Sequence, residues 1–112
     1  MTTIPAKQYL KIKRRYPDYI NALEGLGKAI RQEGPVDEKI SHLIQLAAAA
    51  TMRSEGAVHS HTKRALDTGA SVDEIYHSLI LLTSTIGFPN VVAAMSWAED
   101  VIASSSELSK EE

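Results

Sequence analysis

The chain has 112 residues, a length that suits one compact domain with a modest core of its own. Its hydrophobic fraction of 44%, charged fraction of 23% and formal net charge of −2 argue against a disordered chain and against a basic nucleic-acid surface. Cysteine is absent, which removes disulfides, cysteine nucleophiles, thiolate–zinc sites and Cys-x-x-Cys redox cycling together.

Met1 to Pro5 contains no charged leader followed by an apolar run, so no signal peptide is expected. The most apolar stretches, Leu43 to Met52 and Ser78 to Ile86, are about half the length of a membrane span. The expectation is a soluble cytoplasmic protein with no nucleic-acid or membrane partner. Aromatic residues make up only 5% of the chain and no sustained period-two alternation occurs, so helices are expected and strands are not.

In chain order, the first helix is expected from about Ala6 to Arg15, mostly polar, its basic end Lys11 to Arg15 solvated. Pro17 opens a second, to about Gln32, with Ile20, Leu23, Leu26, Gly27 and Ile30 at helical spacing. Gly34-Pro35 breaks the chain, and Asp37 caps a third helix from about Glu38 to Arg53. The alanine run Ala47 to Ala50 lets a neighbouring backbone approach closely, which makes this helix central. A fourth helix spans about Glu55 to Thr68 and stops at Gly69. Ser71 and Glu74 have capping-box spacing and start a fifth, Val72 to Ile86. After Gly87-Phe88-Pro89, a sixth runs from about Asn90 to Ala103 with Val91, Ala94, Met95, Ala98, Val101 and Ile102 inward, and the serine- and charge-rich remainder is expected to fray. The fold class expected is all-α, a single-domain bundle of five to six helices. Leu79 to Leu82 cover more than half a helix circumference, so part of the fifth helix is expected to meet another subunit.

Several segments carry a resemblance. Asp37-Glu38-Lys39-Ile40 leads into Leu43-Ile44-Gln45-Leu46-Ala47. His61-Thr62-Lys63-Arg64-Ala65-Leu66-Asp67-Thr68-Gly69-Ala70-Ser71 follows, then Glu74-Ile75 and Gly87-Phe88-Pro89-Asn90. Over Asp37 to Ile102 the chain resembles the carboxymuconolactone decarboxylase-like family, which includes the alkylhydroperoxidase D proteins. The resemblance implies an N-terminal helical segment over 1–35, a family core over 36–104 and a flexible tail over 105–112. It also implies a homo-oligomer, a trimer or a hexamer built from trimers.

The peroxidase branch of that family uses Cys-x-x-Cys-x-x-x-His with an activating glutamate one helix earlier. Carried over, the cysteine positions fall on Ser54 and Ala57, the histidine on His61 and the glutamate on His42. Serine cannot cycle through a disulfide, so thiol-based peroxide reduction is excluded. The decarboxylase branch needs no cysteine, and His61 matches its histidine. The function implied is decarboxylation or proton transfer on a small-molecule carboxylate or lactone, with no cofactor and no metal. There His61 gives or takes the proton, and His42 orients it or shares it. Ser54 and Arg53 are the expected anion contacts. The alternative is a non-catalytic oligomeric binding protein that kept the fold after losing the redox site.

The residues alone leave more open. Spacing favours His61 as a core histidine satisfied by a backbone carbonyl, and the family correspondence favours it as a site. His59, with Glu55 and Lys63 four residues away, belongs to a solvated face, and His77 to a surface pair with Asp73. Arg64 joins Arg53 as a contact for an anionic substrate if it faces the pocket. Arg53 also suits a helix C-terminus on charge grounds alone.

Overall fold

A computed structural model describes residues 4–111, and the side chains of 7–105. Among them lie seven helical segments and no strand: α1 (Ile4–Arg15), α2 (Pro17–Gln32), α3 (Glu38–Thr51), α4 (Glu55–Asp67), α5 (Val72–Ile80), α6 (Thr83–Ile86) and α7 (Phe88–Glu111). The fold is the all-α bundle expected.

Local chemistry sets most of the boundaries. Pro17 sits in the first turn of α2, where its missing N–H is no loss. Asp37 caps α3, its Oδ1 accepting from the Ile40 N–H at 2.8 Å. The capping box of α5 is complete. Ser71 Oγ accepts from the Glu74 N–H at 3.0 Å, and Glu74 Oε1 accepts from the Ser71 N–H at 2.9 Å. Gly69, with φ 103°, takes the left-handed conformation that ends α4.

Two boundaries differ from expectation. The fifth helix ends at Ile80 and a separate short turn, α6, follows. At the junction the Thr83 hydroxyl donates to the Ile80 carbonyl at 2.7 Å. The last helix starts earlier and runs further, from Phe88 to Glu111, with Pro89 in its first turn. The backbone is therefore helical where fraying was expected. The side chains of the 105–112 tail beyond Ser105 lie outside the described residues.

The core lies where α3, α4, α5 and α7 meet. α3 packs most extensively against α4, and α4 against α7. Leu46, Val58, Ala65, Ile75, Leu79, Ala94 and Ala98 are wholly enclosed. Each fully buried leucine or isoleucine contributes about 2 kcal/mol of hydrophobic stabilisation. The small residues Ala49, Ala50, Ala65, Ala94 and Ala98 let these helices approach closely.

α2 stands apart from this core. It packs mainly on α1, and of its apolar stripe only Ile20 is buried, whereas Leu23, Leu26 and Ile30 remain exposed. The periodicity in α2 is that of a groove wall. No helix among the described residues is long and apolar enough to cross a membrane.

Candidate active site

His42 lies on α3, one turn before Leu46, and is 2% exposed. His61 lies on α4 and is half-buried. The close α3–α4 packing brings the two rings to 5.8 Å between centroids, tilted by 34°. The Nδ1 atom of each, like that of His59, is buried and has no hydrogen-bond partner among the described residues. An enclosed ring nitrogen without a partner is costly, and such costs cluster where a water or ligand completes the site.

Both imidazoles are held away from their charged form. Burial lowers the His42 pKa, helped by Arg31 and Arg64 and opposed by Glu38. His61 is pushed down from 6.5 to about 4, first by burial and then by Arg64, His42 and Arg31. Near neutral pH both rings are neutral, each with one donor and one acceptor nitrogen.

Beside His42 opens a groove of about 570 Å³. Its walls come from Tyr9 of α1 and from Leu23, Glu24, Leu26, Gly27, Ile30 and Arg31 of α2. Glu38, His42 and Gln45 of α3, with Arg64 and Asp67 of α4 and Thr68 just after it, complete them. Glu24 is engaged by the Tyr9 hydroxyl and by Lys13, 3.2 Å away, a contact that ties α1 to α2 across the mouth. The Gln45 Oε1 atom is also buried without a partner. The polar groups are thus gathered on one side, against the apolar stripe of α2.

Of the four residues expected at the site, the structure brings His42 and His61 together. Only His42 lines the groove. Ser54 is the N-cap residue of α4, seven residues before His61 on the chain, and makes no side-chain capping bond. Arg53 follows α3 in a left-handed conformation with φ 54°, one that usually favours glycine. Its guanidinium donates to Asn90 Oδ1 and lies over the Trp97 ring, 5.9 Å from the centroid. Arg53 and Ser54 therefore line neither this groove nor the depression next to it.

His59 corrects the sequence reading. It is 5% exposed, and its Nε2–H donates to Asp100 Oδ2 of α7 at 3.1 Å. The Glu55 and Lys63 neighbours suggested solvent, but α7 covers that face of α4. His77 is exposed, as its polar surroundings suggested. The residues missed as site residues were Arg31, Glu38 and Gln45. Arg31 sits in no motif, Glu38 and Gln45 were read only as part of the segments that carry the resemblance, and the three come together only where α2 faces α3 across the groove. Arg64 had been singled out as an anion contact, and it does line the groove. No group of three or more His, Asp or Glu side chains suited to a metal ion occurs among the described residues.

The fold and site together define a helical domain with a close pair of imidazoles beside an open groove, one of them on its wall. Residues 17–100 match the carboxymuconolactone decarboxylase family, and the chain belongs to it. An uncharacterised protein of Methanocaldococcus jannaschii is 29% identical over 92 residues, covering 82% of this chain and 86% of that protein. One from Haemophilus influenzae is 33% identical over 59 residues, 53% of this chain and 52% of the relative. Among solved structures, a carboxymuconolactone decarboxylase family protein of Legionella pneumophila superposes with a TM-score of 0.74 at 21% identity, over 88% of each chain. A family protein of Thermotoga maritima gives the same TM-score and identity over 93% of this chain and 94% of its own. At such identity these structures speak to the fold.

Proposed function

We propose that this protein acts on a small organic acid or lactone by decarboxylation or a related proton transfer, with the His42–His61 pair handling the proton. The observation that carries this reading is the pair itself: two imidazoles 5.8 Å apart on neighbouring helices, each with a buried Nδ1 lacking a partner. His42 lines the groove, so substrate contact falls to it, and His61 shares its proton through a bridging oxygen. A ring with a pKa of about 4 is seldom protonated at neutral pH, so in a proton transfer the resting pair accepts a proton from the substrate carbon and returns it, and in a decarboxylation it relays one from solvent water. In a decarboxylation, the electron pair left on carbon as carbon dioxide departs takes that relayed proton.

The test is turnover of a panel of lactone acids and short carboxylic acids, read as carbon dioxide release and as carbon–hydrogen exchange with deuterated solvent. His42→Gln and His61→Gln are each expected to lower turnover by about a hundredfold or more while helicity is kept. Wild-type rates in both variants would remove the pair from the mechanism.

A second reading, a binding protein without turnover, is favoured by one observation. Among the described residues no carboxylate is hydrogen-bonded to either ring, so neither is oriented as a general base usually is. Saturable binding of an acid with no conversion would support it. In either case we propose a homo-oligomer, trimeric or hexameric. Its support is the exposure of Ile80, Leu81 and Phe88 around α6, the last two more than 60% exposed in the single chain.

A further inference from the structure

The groove beside His42 continues past the imidazole. Ile30, Arg31 and Gln45 line it and also line a second depression of about 280 Å³, whose far walls include Val36 and Ile44. The two adjoin along these shared residues and form one trough.

The larger groove carries two arginines. Arg31 of α2 and Arg64 of α4 both line it, and among the described residues neither forms an ion pair. Two of the three acids on the same walls are already taken, Glu24 by Tyr9 and Lys13, and Asp67 by Lys63 at 3.0 Å. Glu38 has no such partner among the described residues, and Glu24 also feels Arg64 at longer range, so neither acid forms a direct pair with either guanidinium. His42, almost wholly buried and with a partnerless Nδ1, stands on the same wall. Gly27 helps aim Arg31: a Cβ there would lie 3.3 Å from Arg31 Nη1, so the bare α-carbon leaves that side chain its place along α2. Beyond Arg31 the smaller depression presents Ile30, Val36 and Ile44, all substantially exposed, with Ser41 and Gln45 as its other polar members.

We infer that this trough binds an anion with an apolar tail. The carboxylate sits between Arg31 and Arg64 beside His42, and the tail runs over Ile30 to Val36 and Ile44. A medium-chain carboxylate is the simplest ligand of that class. A guanidinium pair suits a carboxylate because each planar fork can donate two N–H bonds to it, and the unpaired state of both arginines leaves those donors free. The apolar depression adds affinity with each methylene it shields from water. The inference rests on the groove of the proposed reaction and names its substrate class.

Calorimetric titration with octanoate, butanoate and octanamide tests it on the full chain. Octanoate is expected to bind about tenfold or more tightly than octanamide, which has the same length and no charge. It should also exceed butanoate by about twofold to fourfold per methylene. Arg31→Gln and Arg64→Gln should each weaken octanoate by about tenfold with the melting temperature unchanged. Ile44→Gln, at an exposed position, should narrow the gap between octanoate and butanoate. Lys28→Gln, an equal loss of charge on α2 away from the trough, should leave the affinity within about twofold.

Equal affinity for octanamide, an effect of Lys28→Gln as large as those of the arginine variants, or no octanoate binding at millimolar concentration would overturn the inference. His61→Gln, whose side chain is off the trough wall, is expected to retain octanoate affinity. Arginine-dependent binding with no turnover of any acid would keep this site and remove the proposed reaction. Histidine-dependent turnover with no octanoate binding would do the reverse.

Discussion

The His61 imidazole carries a consequence for stability as well as for chemistry. Its pKa is about 4 in the folded protein against 6.5 for an unperturbed histidine, so between those values the unfolded chain binds the proton first. Stability from this group is fully present above about pH 6.5 and is lost as the pH falls toward 4. His42, also lowered, acts in the same direction. Urea unfolding at steps between pH 7 and pH 4 should show stability falling with a slope approaching about 1.4 kcal/mol per pH unit for one proton, and His61→Gln should flatten that slope. A variant profile parallel to wild type would mean that His61 titrates normally. The position of His61 near a second polar group was legible from the sequence because the family correspondence names both positions. The burial of His59 was not, since its neighbours at four-residue spacing are charged and only α7 covers it.

At the scale of the elements, caps and turns follow from local residues and were legible. Asp37, Ser71 with Glu74, Pro17 and Gly69 each act where their chemistry suggests. The Ser71 box also anchors Glu74, which reaches Lys39 of α3 at 3.1 Å and so joins two helices. The Ser71 N–H and the Lys39 ammonium both hold the Glu74 carboxyl below its usual pKa. Ser71→Ala is expected to lower stability by about 1 kcal/mol, read as a shift in the urea midpoint with an unchanged slope. Loss well below that would mean that Lys39 alone holds the start of α5. The break at Leu81-Leu82 was not legible, because Leu79-Ile80-Leu81-Leu82 has good helix propensity and no Gly or Pro marks an end there.

For the whole molecule, the surface left by one chain is more apolar than a small monomer needs. Ile80, Leu81 and Phe88 gather around α6, where two helices end and another begins. Sedimentation at micromolar concentration is expected to give a trimer or hexamer, and Leu81→Glu to shift it toward smaller species without unfolding the bundle. A wild-type chain that sediments as a monomer would leave that surface to some other partner. The trough between α2 and α3 belongs to this scale too. Its walls come from three or four helices, and the exposed stripe of α2 has a use only once that helix stands clear of the core.

The amino-acid sequence by itself determined that the chain is helical, where most helices start and stop, that no thiol chemistry is available, and which two histidines belong together. These follow from composition, from periodicity and from a motif carried position by position. Tertiary structure alone decided which helix faces are covered and which charges converge. Arg31 and Arg64 are 33 residues apart along the chain and share one groove only because α2, held on α1, faces the α3–α4 pair across it. Contacts between faces depend on packing at long range, and no local pattern of residues encodes them.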